Sequence, residues 1–292
     1  MSVRIGFVLL THNKPQQALR LVRKLNSMFD DPPIAWHHDF TQCNLSENSF
    51  LKNIYFVRPH LHTGWGQFSI VDAGMAALKL LFQSESPPDW FCLLSGADYP
   101  IKTAEKIVYD LSSSPYDAHI RHERIRFNRY EREWQELCYR RYCNLRFHIP
   151  LTHRTIRLSH PLITRPFLPF SDKLACFAGE HWFSANRLAA NYLIEFYRTK
   201  QALANHYRRQ DDYRLSTSES YYQTVLCNAP HLKISENHWR YIDWSQGGPH
   251  PKHPKTLLME DLPKLHASPA HFARKFDADV DDKVLDALDA VT

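Results

Sequence analysis

Apolar and polar positions follow two different periods along the first hundred residues. VRIGFVLLTH (3–12) is an almost continuous apolar run, the pattern of a strand buried on both faces. From Lys14 to Phe29, Ala18, Leu21, Val22, Leu25 and Met28 recur at helical spacing behind Pro15, which suits a first turn, so a helix is expected there. IAWHHD (34–39) and NIYFVR (53–58) read as the second and third strands. A helix over Phe68 to Phe82, carried by Ile70, Ala73, Ala77, Leu80 and Leu81, leads to a fourth strand, WFCLL. Strands alternating with helices predict an α/β fold around a parallel sheet whose ligands sit at the carboxyl ends of the strands. That rule places Thr11, His12, Asp39 and the segment Ser95 to Asp98, with Gly96, along one rim.

The segment LLSGADYPI (93–101) drives a buried strand into a tight turn that carries one carboxylate, Asp98. Its local reading is a turn made by Gly96, capped by Asp98 and stopped by Pro100. Composition narrows the alternatives. A chain of 292 residues with 43% hydrophobic content can bury a full core as one large α/β domain or two small ones. The six cysteines (43, 92, 138, 143, 176, 227) form no CxxC pair and several lie in apolar runs, which suits reduced, packed thiols. The first ten residues read as a strand and not as a signal peptide, because Arg4 interrupts the apolar run. No apolar stretch approaches the ~18 residues of a membrane span. HExxH, GxxxxGK[ST], GxSxG and GxGxxG are absent, which removes the commonest hydrolase and nucleotide fingerprints.

Six segments then occur in order: GWGQFSIVDAG (64–74), DWFCLLSGADYPIKT (89–103), FAGEHWFSANR (177–187), SESYYQTVLCN (218–228), the stretch from Arg240 to Leu257, and FARKF (272–276). Together they resemble the core-2/I-branching glycosyltransferases, the family that includes the peptide O-xylosyltransferases. The resemblance runs from the first strand to Phe276. It implies a GT-A-like fold with a mostly parallel central sheet flanked by helices, in a catalytic unit over 1–276 followed by a helical tail over 277–292. It also implies an inverting transferase that moves a sugar, GlcNAc first and xylose second, from a UDP-sugar to a hydroxyl of a glycan or lipid-linked glycan, with no cofactor and no divalent metal. A glycan-binding protein that keeps the fold without the chemistry is the alternative from another class. Animal members carry a membrane anchor and stem before this unit. A chain that starts at the first strand is therefore expected to be a bacterial, cytoplasmic relative, with peripheral contact at the inner membrane face as a further expectation.

The resemblance also distributes roles. Metal-using GT-A enzymes carry Asp-x-Asp where the fourth strand ends, because two carboxylates hold the ion that bridges the diphosphate. Here the turn offers Asp98 alone, and Asp277-Ala-Asp279 reads as first-turn acids of the tail helix. Charge on the leaving diphosphate then falls to cations: Lys275 and Lys255 match the family's diphosphate-binding positions, the latter replacing an arginine of the core-2 branch, with Arg274 beside them. Thr11, His12, Asp39, Ser95 and Gly96 are the expected nucleotide rim. Glu219 matches the family's catalytic base, against a local reading in which Ser216 and Glu219 form a capping box. Asp98 is the second candidate base or a donor-positioning group. Trp244 matches an acceptor-lining tryptophan, Trp182 and Trp65 lie in other family segments, and Glu123 corresponds to an acceptor-binding glutamate.

Residues 121–165 stand apart. They hold eleven Arg and no Lys against four Glu and no Asp, a formal +7 where the whole chain carries +5, interleaved with Phe127, Tyr130, Trp134, Tyr139, Tyr142 and Phe147. Arg-Glu pairing on a solvated face would account for this. An anionic acceptor, or an anionic membrane surface presenting it, is the functional expectation. No nucleic-acid partner is expected, since no RNA- or DNA-binding signature accompanies the charge.

Overall fold

The computed structural model describes residues 3–46, 52–126, 133–149, 155–158, 160–210, 216–245 and 253–291. The alternation expected from the sequence is realised as β1 (Ile5–Thr11), α1 (Pro15–Phe29), β2 (Ile34–His38), β3 (Ile54–Phe56), α2 (Ser69–Phe82) and β4 (Trp90–Ser95). Then follow β5 (Tyr99–Pro100), α3 (Ala104–Ser112), β6 (Ala118–His119), β7 (Glu123–Arg124), α4 (Glu133–Tyr142), β8 (Leu145–His148), β9 (Thr155–Leu158) and α5 (Pro161–Thr164). The last third contains β10 (Phe177–Ala178), β11 (Ser184–Asn186), α6 (Arg187–Thr199), α7 (Gln201–Arg209), α8 (Tyr221–Cys227), β12 (Ile234–Ser235), β13 (Arg240–Ile242), α9 (Leu262–Ala267), β14 (Phe272–Arg274) and α10 (Lys283–Val291).

Seven strands form the central sheet in the order β12-β6-β11-β4-β1-β2-β3. β1 lies between β2 and β4, parallel to both, while β11 pairs antiparallel with β4 and β6. This is the mostly parallel, helix-flanked GT-A-like sheet. Because side chains alternate along a strand, Val8, Leu10, Phe91 and Leu93 enter one core with α2, α6 and α8. Phe7, Leu9, Cys92 and Leu94 enter the other, with α1, α3 and α10. Both faces are covered, which is why these strands read as unbroken apolar runs and not as alternations. No described helix is long and apolar enough to cross a membrane.

A smaller sheet, β13-β14-β5, is fastened to the middle of the large one, at β4 and the residue before β11. Arg240 on β13 is buried and spreads its guanidinium over the Leu93 and Phe183 carbonyls at 3.3 and 3.1 Å, with its carbon 4.9 Å from the Phe272 ring. β14 pairs antiparallel with β5, setting Ala273 opposite Tyr99, and Phe276 donates its N–H to the Ala97 carbonyl at 2.9 Å. FARKF is thereby laid against the SGADYP turn from which it is far removed in sequence.

Two local expectations fail. Ser216 adopts a left-handed backbone (φ 46°) and makes no side-chain cap, the following helical turn spans Thr217–Glu219, and α8 starts only at Tyr221. The spacing of a capping box is present without its geometry. Asp277 and Asp279 also precede their helix: α10 begins at Lys283, and both acids instead clasp Lys14 at the start of α1. The tail helix does bury Val284, Leu285 and Leu288 in the second core, but Val280 is exposed. Within the arginine-rich segment, Phe127, Arg129 and Tyr130 lie outside the described residues.

Candidate functional site

At the end of β1 the Trp36 indole N–H donates to the Thr11 hydroxyl at 2.7 Å. That hydroxyl donates in turn to His38 Nδ1 at 2.7 Å, and His38 Nε2–H donates to the Cys43 carbonyl at 2.7 Å. A carbonyl can only accept, so the relay puts the ring proton on Nε2, and it ties the ends of β1 and β2 together. The expected rim residue Thr11 thus spends its hydroxyl inside the protein, while His12 beside it is exposed.

Asp39, fully buried, is engaged still more completely. Oδ1 accepts the Thr41 backbone and hydroxyl donors at 3.0 and 2.6 Å, and Oδ2 accepts Gln42 Nε2 at 2.7 Å and the Thr63 backbone and hydroxyl at 2.7 and 3.1 Å. Burial by itself would raise this carboxyl, but the donors from Thr41, Thr63 and Gln42 outweigh it and hold the group below its ordinary range. Asp39 joins loop 39–42 to the chain at Thr63 and so shapes the rim.

The Ser95 turn answers the question its sequence raised. Asp98 Oδ2 accepts the Ser95 backbone N–H at 2.7 Å and also its hydroxyl, which closes the turn. Oδ1 has no hydrogen-bond donor among the described residues and faces Arg274 Nε at 3.8 Å. Gly96 adds a close approach: its carbonyl accepts Gln17 Nε2 at 2.8 Å, and a Cβ there would come within 3.1 Å of the Thr11 methyl. The guanidinium of Arg274 lies 4.6 Å over the Trp182 ring, so one face of that tryptophan carries a cation.

Beyond Arg274 lie two acids. Glu180 follows β10 and Glu219 ends the turn before α8. Gly179 donates its N–H to the Glu219 carbonyl at 2.9 Å, and a Cβ at Gly179 would meet the Arg121 carbonyl at 2.0 Å. Only glycine allows the chain before Glu180 to pass this close to the Arg121 backbone. Both acidic residues are more than half buried. Burial, reinforced by the charge of Glu180, pushes Glu219 up to about 8 against the pull of Arg141 and Arg274. Burial likewise raises Glu180, while Arg274, Arg121 and the Trp244 indole N–H favour its charged form. Two like charges at one buried place titrate as a unit, and the second to ionise does so with difficulty.

Glu180 lies within the FAGEHWF segment, two residues before Trp182, and is not among the residues expected from the sequence. The available signal was Gly-Glu at the end of a short strand, next to two aromatic rings. Trp244 stands beside Glu180 and is half exposed. Trp65, half exposed, packs near His253 at 5.0 Å on another wall. Glu123 does not point free into a cleft: its carboxylate accepts from Gln135 of α4. Lys255 is held by Glu260 at 3.1 Å and Asp261 at 2.9 Å, whereas Lys275, next to Arg274, has no ion-pair partner among the described residues.

The family model described as Core-2/I-Branching enzyme matches residues 7–266. The chain belongs to this family. Among curated relatives it is similar to xylosyltransferase 1 of Rattus norvegicus, 25% identical over 309 residues, covering 99% of this chain and 35% of the rat protein. It is also similar to the β-glucuronosyltransferases GlcAT14B and GlcAT14A of Arabidopsis thaliana, at 26% and 28% identity, each over 73% of this chain and under half of the plant protein (46% and 44%). The chain therefore spans about a third to a half of these core-2/I-branching relatives.

Proposed function

We propose that this core-2/I-branching family member is a glycosyltransferase that moves a sugar from a UDP donor to a glycan hydroxyl with inversion at the anomeric carbon. The observation that carries the mechanism is the Glu180–Glu219 pair, set beside Arg274 and Trp244. An acceptor hydroxyl must lose its proton as its oxygen attacks the anomeric carbon from the face opposite the leaving group. Two arginines and an indole N–H favour negative charge on Glu180, so we assign the base to Glu180 at neutral pH, with Glu219 holding the pair's remaining proton. This moves the base by one partner from the Glu219 expected on resemblance and leaves Asp98 to position the donor. As the new C–O bond forms and the bond to UDP breaks, negative charge grows on the diphosphate, and Lys275 supplies the fixed cation that meets it.

Metal independence is proposed on the donor set at the turn. One oxygen of Asp98 closes the turn, and the other faces a guanidinium at 3.8 Å, where a cation would be repelled. For the donor, the extended similarity to a xylosyltransferase supports UDP-xylose ahead of the UDP-GlcNAc favoured by the motifs. The test is UDP release and product formation with UDP-xylose, UDP-GlcNAc and UDP-glucuronic acid, each with and without EDTA. Turnover with one of them that persists in EDTA is expected. Turnover abolished by EDTA and restored by manganese would remove the metal-free mechanism, and glycan binding without any UDP release would leave a binding protein.

A further inference from the structure

The arginine-rich segment folds into a recess separate from the carboxylate pair. A cavity of about 370 Å³ is walled by Arg124, Arg126 and Arg165, with Tyr139, Leu168 and Phe170 among its other sides. That size falls at the lower end of the ~300–1,000 Å³ typical of small-molecule sites. Arg165 pairs with Asp172 at 3.3 Å on the rim, but neither Arg124 nor Arg126 has an ion-pair partner among the described residues. Among the described residues, the walls of the recess carry three arginines against one acid, Asp172.

The walls are braced. Buried Gln135 of α4 accepts the Arg126 backbone N–H at 3.3 Å and donates to the Arg124 carbonyl at 3.2 Å, which sets the stretch of chain bearing both arginines. Ile125 donates to the Cys176 carbonyl at 2.9 Å, and Asn228 clamps both backbone groups of Ala175 at 2.8 Å. At the floor, the Cys143 thiol is held up by its hydrogen bond to Cys176 and by burial, so the floor adds no negative charge. The recess is also tied to the reaction centre. Arg124 of β7 lies opposite Phe177 of β10, and β10 leads through Gly179 into Glu180. Cys176 and Glu180 are four residues apart, roughly 13 Å at full extension.

We infer that this recess is a subsite for a sugar that carries a carboxylate, sulfate or phosphate, located on the acceptor some way from the hydroxyl that reacts. Planar guanidinium forks match such oxyanions in bidentate fashion. The aromatic and aliphatic walls suit a ring behind the anionic group, whereas a lipid surface would call for a projecting basic face and not a concave one. The inference rests on the glycosyltransferase reading only for what presents the acid; binding itself can be measured apart from turnover.

The experiment titrates the full chain with glucuronate, glucose 6-sulfate, glucose 6-phosphate and neutral glucose by calorimetry or ligand-observed NMR, with UDP as a separate ligand. At least one acidic sugar should bind ten-fold or more tightly than glucose, and which one does identifies the acid. The double variant Arg124→Gln/Arg126→Gln should erase that preference and leave UDP binding intact. Leu168→Trp, which fills the recess without altering charge, should weaken acidic-sugar binding as well and serves if the double variant does not fold. Equal binding of glucose and all three acids overturns the inference, as does a preference that survives both variants. Arginine-dependent binding to phosphatidylglycerol vesicles without acidic-sugar binding would overturn it in favour of a membrane contact. Failure of the unmodified chain to bind UDP would count against the donor reading instead, since the subsite makes no demand on UDP.

Discussion

Asp39 and Glu219 are both acids withdrawn from water, and the protein drives them in opposite directions. Around Asp39 five donors from Thr41, Gln42 and Thr63 converge on two oxygens, and the carboxyl is held below its ordinary range despite burial. Around Glu219 the neighbour that adds most to burial is another acid, and the carboxyl rises to about 8. Burial raises both. The sign of the net shift is set by what surrounds the charge, donors in one case and a like charge in the other. Asp39 has both oxygens filled with donors, while at the Glu180–Glu219 pair burial raises both carboxyls, which is the setting the proposed base requires.

The largest expected effect lies in the pair. Glu180→Gln should lower kcat by roughly 10²–10⁴-fold, the usual loss for a general base, with UDP affinity little changed. Glu219→Gln should cost less and alter the pH profile instead. With Glu180 as base and the proton on Glu219, activity of the native enzyme should decline or change slope near pH 8, and that feature should vanish in the Glu219→Gln variant. Should the Glu219→Gln variant suffer the larger loss while the native rate rises through about pH 8, the base would be Glu219.

Stability should separate the two acids with opposite signs. Asp39 has a folded pKa below its ordinary 3.8, so its contribution is present above that value and lost as pH falls through the folded one. Asp39→Asn turns an amide donor toward existing donors and should cost roughly 2–3 kcal/mol at pH 7. For Glu219, raised from 4.5 to about 8, stability is complete below about pH 4.5 and is lost as the pH rises through about 8. Glu219→Gln should therefore melt near the native protein at pH 5 and higher at pH 9, by something on the order of 2 kcal/mol. Parallel melting curves for that variant at pH 5 and pH 9 would show the carboxyl to be better solvated than its surroundings suggest.

The legible parts of this chain were those governed by period or by local turn chemistry. β1, α1, α2 and β4 emerge within a few residues of their expected bounds because two buried faces leave an apolar run and one buried face leaves a 3.6-residue repeat. The rim residues followed from topology. Glu180 did not emerge, because its partner lies on a segment brought in by the contact at Gly179, and nothing local announces a second carboxylate. The Ser216–Glu219 spacing misled for a related reason: a capping box requires an extended cap residue, and Ser216 is left-handed. The charge of the 121–165 segment was visible, whereas the recess is built from three stretches of chain around Arg124–Arg126, Tyr139–Cys143 and Pro161–Cys176. Composition supplied the cations but could not supply the concavity.

The smallest expected effect distinguishes two lysines that the sequence treated alike. Lys255 Nζ sits 2.9 Å from Asp261, which is buried, and 3.1 Å from Glu260. Burial would raise the Asp261 carboxyl, but Lys255 and the Leu258 backbone N–H draw it down, so this lysine already balances a charge that cannot reach water. Meeting a diphosphate would require it to abandon that partner. Lys275 carries no such obligation among the described residues and is adjacent to Arg274 at the Asp98 turn. Lys275→Met should then weaken UDP binding by about ten-fold, equivalent to ~1.4 kcal/mol, with little change in melting temperature. Lys255→Met should do the reverse, lowering stability on the order of 1 kcal/mol by leaving Asp261 only the more distant Lys264, at 3.7 Å, while UDP affinity stays within about two-fold. Paired calorimetric titrations and melting curves on the two variants decide the matter. A loss of UDP affinity of about ten-fold in the Lys255→Met variant would mean that the ammonium changes partners when the donor arrives, and Asp261 would then be the residue whose neutralisation the bound state must explain.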